Sequence, residues 1–82
     1  MTELEAIKII QEEDLRDFNW FNNHDFRPNE VEIVKLEGVW TVATTDEKAA
    51  RISQVSYVTE SEALDDFIER SRADKLLNEY YK

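Results

Sequence analysis

Two runs of strand-forming residues are separated by only two residues, Glu37 and Gly38. The first run covers residues 30–36 and carries three β-branched side chains, and the second covers residues 39–45 and is rich in Val and Thr. A two-residue connection that ends in Gly is typical of a tight β-hairpin. The centre of the fold is therefore predicted to be an antiparallel pair of strands.

Further strands are predicted on both sides of this hairpin. Residues 52–58 alternate in the manner of a third strand. Phe18 and Trp20 alternate as in a short fourth strand, and the polar residues 22–25 that follow are turn formers. We therefore expect a sheet of three or four antiparallel strands.

Helices are predicted at both ends of the chain. Thr2 and Glu5 have the spacing of a capping box, in which each side chain accepts a hydrogen bond from the other residue's backbone N–H. They begin a predicted helix over residues 2–14. The same spacing recurs at Thr59 and begins a second predicted helix over residues 60–81. The order helix, strands, helix predicts an α+β fold with both helices on one face of the sheet.

The C-terminal helix carries two apolar stripes. At 100° per residue, Leu64, Phe67 and Ile68 form a stripe that is expected to face the sheet. A second stripe, about 150° away, comprises Ala73, Leu76, Leu77 and Tyr80. One straight helix cannot bury both stripes in one core. Either the helix breaks between Ser71 and Asp74, or its C-terminal half packs on the first helix, on a second copy of the protein in a homodimer, or on a partner.

The length and composition indicate one small domain over residues 1–82. Cysteine is absent, which excludes disulfides and thiolate metal ligands. The first residues are acidic and lack the apolar run of a signal peptide, and no apolar stretch reaches membrane-spanning length. The expected location is the cytoplasm.

The chain is strongly acidic, with 19 Asp and Glu against 10 Lys and Arg and a formal net charge of −9. This charge disfavours nucleic acid and anionic membranes as direct partners, and it favours a cationic protein by raising the rate of encounter. It also agrees with a simple role in solubility. Four carboxylates fall within about 100° on the C-terminal helix, opposite its first stripe. They are Glu62, Asp65, Asp66 and Glu69.

These four carboxylates form either a solvated helix face or an electrostatic docking surface. Asp46 and Glu47 are candidates to lie alongside them. Phe21 is a further candidate contact, because strand alternation places it opposite Phe18 and Trp20 and therefore predicts an exposed ring. An exposed aromatic beside carboxylates suits a binding hot spot.

Residues that could carry catalysis are scarce. His24 is the single histidine, lies in a polar turn beside Asp25 and is expected at the surface. A second His, a Cys and a glycine-rich phosphate loop are all missing from the sequence. We therefore predict no catalytic residue, no metal site, no cofactor and no enzymatic activity.

Two segments of the chain resemble a known protein family. These are VWTVATTDEKA at residues 39–49 and SEALDDFIERSRADK at residues 61–75. They are similar to the immunity protein 59 family, which consists of small bacterial proteins of polymorphic toxin systems, and the similarity extends over residues 18–80. The resemblance implies that the chain neutralises a toxin made by the same cell or its siblings. It assigns no binding residues.

Three functions remain open at this point. The first is an immunity-type inhibitor that covers a basic toxin domain by stoichiometric binding. The second is an acidic adaptor or nucleic-acid mimic that binds another basic protein. The third is a structural homodimer formed through Leu76, Leu77 and Tyr80, with no toxin involved.

Overall fold

The computed structural model describes residues 1–80 and confirms an α+β fold. Its elements are helix α1 (Glu3–Glu12), strands β1 (Phe18–Trp20), β2 (Val31–Leu36), β3 (Val39–Thr45) and β4 (Arg51–Tyr57), and helix α2 (Glu60–Tyr80). The strands form one sheet in the order β1-β2-β3-β4, with antiparallel pairing of β2 with β3 and of β3 with β4. The predicted end of the second helix at Tyr81 lies outside the described residues.

Strand β1 departs from the predicted antiparallel sheet, because it runs parallel to β2. Phe18 pairs with Val31 and Trp20 pairs with Ile33. The connection over residues 21–30 returns the chain to the end of the sheet where β1 began, which a tight hairpin cannot do. The sheet is therefore mixed, and only three of its four strands follow the antiparallel prediction.

The predicted hairpin between β2 and β3 is confirmed. Leu36 pairs directly with Val39, so the loop consists of Glu37 and Gly38 alone. Their φ angles are 49° and 83°, and positive φ at both central residues defines a type I′ turn. Gly38 adopts this conformation without a steric penalty, whereas Glu37 carries a Cβ that disfavours it by roughly 1 kcal/mol.

The core lies between α2 and the sheet. Leu64, Phe67 and Ile68 are at most 1% exposed, which confirms the stripe predicted to face the sheet. Helix α1 contributes Ala6 to the same core and runs beside α2 in the same direction. The direction follows from two contacts: the Met1 amino group bonds Ser61 at one end, and Glu13 bonds Arg72 at the other.

Helix α2 is continuous, so the break considered between Ser71 and Asp74 is absent. Its C-terminal half instead extends past the end of α1. The side chains of its second stripe are largely exposed, at 67% for Leu76, 56% for Leu77 and 81% for Tyr80. The two apolar stripes are thus accommodated by burying one and leaving most of the other outside the core.

Ser71 provides a test of the packing of α2. It is 1% exposed, and its Oγ has no hydrogen-bond partner within residues 1–80. A buried hydroxyl without a partner costs about 1–3 kcal/mol, and Ala has the higher helix propensity by about 0.5 kcal/mol. Ser71→Ala is therefore expected to raise the free energy of unfolding by about 1 kcal/mol, measured by urea denaturation.

The matched control is Ala73→Ser, at an exposed position of the same helix. It should lower the free energy of unfolding only by the difference in helix propensity, about 0.5 kcal/mol. A loss of stability in Ser71→Ala would show that the Oγ has a partner in solution.

Candidate functional site

Three of the four α2 carboxylates predicted to form a docking surface face solvent. Asp65 has a 60% exposed side chain and lies 3.0 Å from the Met1 amino group. Glu62 is exposed and accepts a hydrogen bond from the Thr59 hydroxyl at 2.8 Å. Glu69 is exposed one to two turns further along. The helical spacing therefore places these charges on one accessible face, as the sequence predicts.

Asp66, the fourth of these carboxylates, is used within the fold. Its side chain is 19% exposed, and it accepts hydrogen bonds from the Tyr57 hydroxyl at 2.7 Å and from Arg70 Nε at 2.9 Å. The hydrogen bond to Asp66, together with burial and the nearby negative charge, raises the pKa of the Tyr57 phenol. Asp66 therefore ties α2 to β4 and contributes little free charge to the surface.

Further negative charge lies at the end of the fold where α1 and α2 both begin. Glu3 in the first turn of α1 lies close enough to Glu60 for the two side chains to interact. Slight desolvation raises the pKa of the exposed Glu3, and the charge of Glu60 and a hydrogen bond with it raise this pKa further. Carboxylates are therefore crowded here, although Asp65 has the Met1 amino group as a partner.

We call this group of carboxylates the acidic surface. It consists of Glu3, Glu60, Glu62, Asp65 and Glu69. Sequence reasoning missed the part formed by Glu3 and Glu60, because only the parallel packing of α1 and α2 brings these distant residues together. The acids in the first turns also interact favourably with the helix dipoles, which places negative charge there at little cost to folding.

Asp46 and Glu47 lie in the turn between β3 and β4, away from Glu62. The Asp46 carboxylate accepts hydrogen bonds from the backbone N–H groups of Lys48 at 2.8 Å and Ala50 at 2.9 Å, so it shapes the turn. Glu47 is exposed. Strand β4, about 23 Å long when extended, separates this turn from the start of α2. These two residues therefore do not join the acidic surface at its helix-start end.

The predicted exposure of Phe21 is corrected by the structure. Phe21 is half-buried, and its ring contacts Trp20 edge-on at 4.9 Å between centroids. Strand alternation fails here because β1 ends at Trp20 and Phe21 has a positive φ of 49°. Phe26 is exposed instead, at 49%, and the Arg51 guanidinium stacks on its ring at 4.5 Å.

The sheet face away from the helices is covered in part by the connection over residues 21–30. The Asn19 side chain is buried and bonds the backbone of His24 in both directions, at 3.0 and 3.4 Å. The His24 imidazole lies 2.8 Å from the carboxylate of Glu30, and its side chain is 21% exposed. The histidine therefore anchors this connection to the sheet and is not the surface residue expected from the sequence.

An ion pair lies on the same face of the sheet. The Glu32 side chain is 4% exposed and accepts a hydrogen bond from Arg51 Nε. A buried carboxylate is costly unless it is paired, so Arg51 allows β2 to carry Glu32 on a covered face.

Among residues 1–80, no group of three or more His, Cys, Asp or Glu side chains could hold a metal ion.

Comparisons with known proteins add no relative: no family model, no curated protein and no solved structure matches this chain. Neither described helix is long and apolar enough to cross a membrane. The fold defines the chain as a small α+β domain with a mixed four-stranded sheet.

Proposed function

We propose that this protein is an immunity-type inhibitor that binds a basic bacterial toxin domain stoichiometrically and thereby neutralises it in the cytoplasm. The observation that supports this most directly is the acidic surface, which combines carboxylates from two helices, four of them exposed and Glu60 half-buried. The resemblance to the immunity protein 59 family supplies the class of partner. Inhibition by occupancy needs no catalytic residue, metal or cofactor in the inhibitor.

The position of the charges on helices suits an inhibitor that binds without rearranging. Contacts at both ends hold α1 against α2, through Met1 with Asp65 at 3.0 Å and Glu13 with Arg72 at 2.6 Å. The backbone of two packed helices is already ordered, so binding costs mainly the rotamer entropy of the side chains in contact. The acidic surface is therefore a preformed counterpart for a cationic groove.

The charge itself has two effects on binding. A surface of one sign accelerates encounter with a partner of opposite sign, up to about 10⁸–10⁹ M⁻¹s⁻¹ at low salt. It also disfavours wrong partners, because like charges brought together repel. If the toxin is a nuclease, the groove that receives nucleic-acid phosphates is the natural place for such a surface to bind.

The proposal predicts a slower association when the acidic surface is neutralised. The variant Glu62→Gln/Asp65→Asn/Glu69→Gln keeps Asp66 because that residue supports the fold, and Gln at position 62 preserves the capping pattern. The association rate constant with the cognate basic toxin domain is expected to fall about tenfold at low salt and to depend less on salt. Stopped-flow fluorescence measures both quantities.

The matched control is Glu12→Gln/Glu37→Gln/Glu47→Gln, which removes the same three charges from exposed positions elsewhere. It should change the rate constant much less than the first variant. Equal slowing in both variants would mean that net charge alone acts. Unchanged kinetics in both, or a toxin that keeps its activity when saturated with the protein, would contradict the proposal.

A further inference from the structure

A groove separates the connection between α1 and β1 from the last turns of α2. It consists of two adjoining cavities of about 620 and 480 Å³ that share three lining residues. Leu15, which is 4% exposed, and Leu76, which is 67% exposed, give one cavity an apolar wall. The other cavity is lined by charged and amide side chains. The groove therefore offers apolar and ionic contacts side by side.

The cations in this groove are already engaged. Each has a carboxylate partner, with N···O distances of 3.0 Å for Arg16 and Asp14, 2.6 Å for Arg72 and Glu13, and 4.0 Å for Lys75 and Glu79. Asp17 and Asp74 line the same groove in addition to these pairs, and Asp17 is close enough to Arg16 to interact with its charge. The groove therefore has more negative than positive side chains.

Asp74 is the centre of this excess negative charge. Burial raises its pKa, and the nearby carboxylate of Asp17 raises it further, while a hydrogen bond from Asn78 at 3.2 Å acts in the opposite direction. Two carboxylates that repel each other in a partly buried groove favour a cation between them. An ammonium or guanidinium group from outside would relieve this repulsion.

We propose that this groove binds a cationic amphipathic segment of the partner protein. A Lys or Arg side chain of that segment lies between Asp17 and Asp74, and an apolar side chain packs on Leu76. The inference rests on the proposed function and gives the partner a second contact, because the groove lies beside the C-terminal end of α1, whereas Glu3, Glu60 and Glu62 of the acidic surface lie where both helices begin.

Charge complementarity selects this occupant over a second copy of the chain. Two copies that met groove to groove would bring their Asp17 and Asp74 carboxylates together. A partner segment with alternating cationic and apolar side chains satisfies both walls of the groove.

The test uses the full chain, labelled with ¹⁵N, and a synthetic helical peptide that carries Leu and Lys at i, i+3 and i+4 spacing. Saturable shifts of the backbone amides of Asp17, Asp74 and Leu76 are expected. Asp17→Asn/Asp74→Asn should weaken binding about tenfold, which corresponds to 1.4 kcal/mol. Leu76→Ser should weaken it by a similar factor through lost apolar contact.

Two controls isolate the groove from the general attraction of an acidic protein. A peptide with Glu in place of Lys should not bind. The variant Glu37→Gln/Glu47→Gln removes the same charge from exposed positions outside both the groove and the acidic surface, and it should retain the affinity of the unmodified protein.

Any outcome other than these overturns the inference. Equal weakening in both charge variants would indicate non-specific attraction, and self-association lost in Leu76→Ser would indicate a second copy. Shifts confined to the acidic surface would remove the groove from the interface. In that case toxin neutralisation would still depend on Glu62, Asp65 and Glu69 and not on Asp17 and Asp74, so the proposed function would stand without this inference.

Discussion

Phe67→Ala is expected to lower the free energy of unfolding by about 4 kcal/mol. Phe67 is fully buried, and its ring contacts Phe18 and Trp20 edge-on at centroid distances of 5.9 and 5.6 Å. Alanine leaves a cavity where α2 meets the sheet and removes two aromatic pairs, each contributing about 0.5–1.5 kcal/mol. Because domains of this kind are stable by only about 5–15 kcal/mol, the variant should retain little folded protein on mild warming.

Urea denaturation followed by tryptophan fluorescence measures this loss, since Trp20 touches the substituted ring. Phe67→Leu is the matched control, because it keeps most of the buried apolar volume and should cost about 1–2 kcal/mol. A cost for Phe67→Ala no greater than that of the leucine variant would show that α2 is not packed on the sheet as described.

The second large effect concerns the ion pair on the other face of the sheet. Arg51→Met is expected to lower the free energy of unfolding by about 3 kcal/mol, because it leaves a buried carboxylate without its cation. The Glu32 side chain is 4% exposed, so water cannot replace the lost partner. The substitution also removes the stacking of the guanidinium on Phe26, which is worth about 0.5–1 kcal/mol.

A double-mutant cycle separates these contributions. Adding Glu32→Gln to Arg51→Met removes the buried charge and should return stability to within about 1 kcal/mol of the unmodified protein. Arg16→Met breaks the exposed pair with Asp14 and should have little effect, because exposed ion pairs contribute little. An Arg51→Met variant as stable as Arg16→Met would mean that Glu32 reaches water.

Local patterns in the sequence were enough to predict most of the elements. The capping box of Thr2 and Glu5 forms in the structure, with both reciprocal hydrogen bonds. The two-residue hairpin at Glu37 and Gly38 also forms, and the helices and the three main strands lie close to their predicted positions. These features depend on residues a few positions apart, so the sequence pattern reports them directly.

The candidate surface was predictable only in part. Helical spacing alone placed Glu62, Asp65 and Glu69 on one face of α2. It could not show that Asp66 on that same face is held by the hydroxyl of Tyr57, a residue of the neighbouring strand. His24 was expected at the surface for a similar reason, because nothing nearby in the sequence identifies Glu30 as its partner.

Helix caps, the β-hairpin and the apolar stripe of α2 were determined by the sequence alone, because each arises from short-range hydrogen bonding or from the regular spacing of side chains. The direction of β1, the partners of the buried carboxylates and the meeting of Glu3 with Glu60 were decided only by the tertiary structure. Each of these depends on residues far apart in the chain. Their contacts are set by how the elements bury apolar area while the buried Glu32 keeps its ion pair with Arg51.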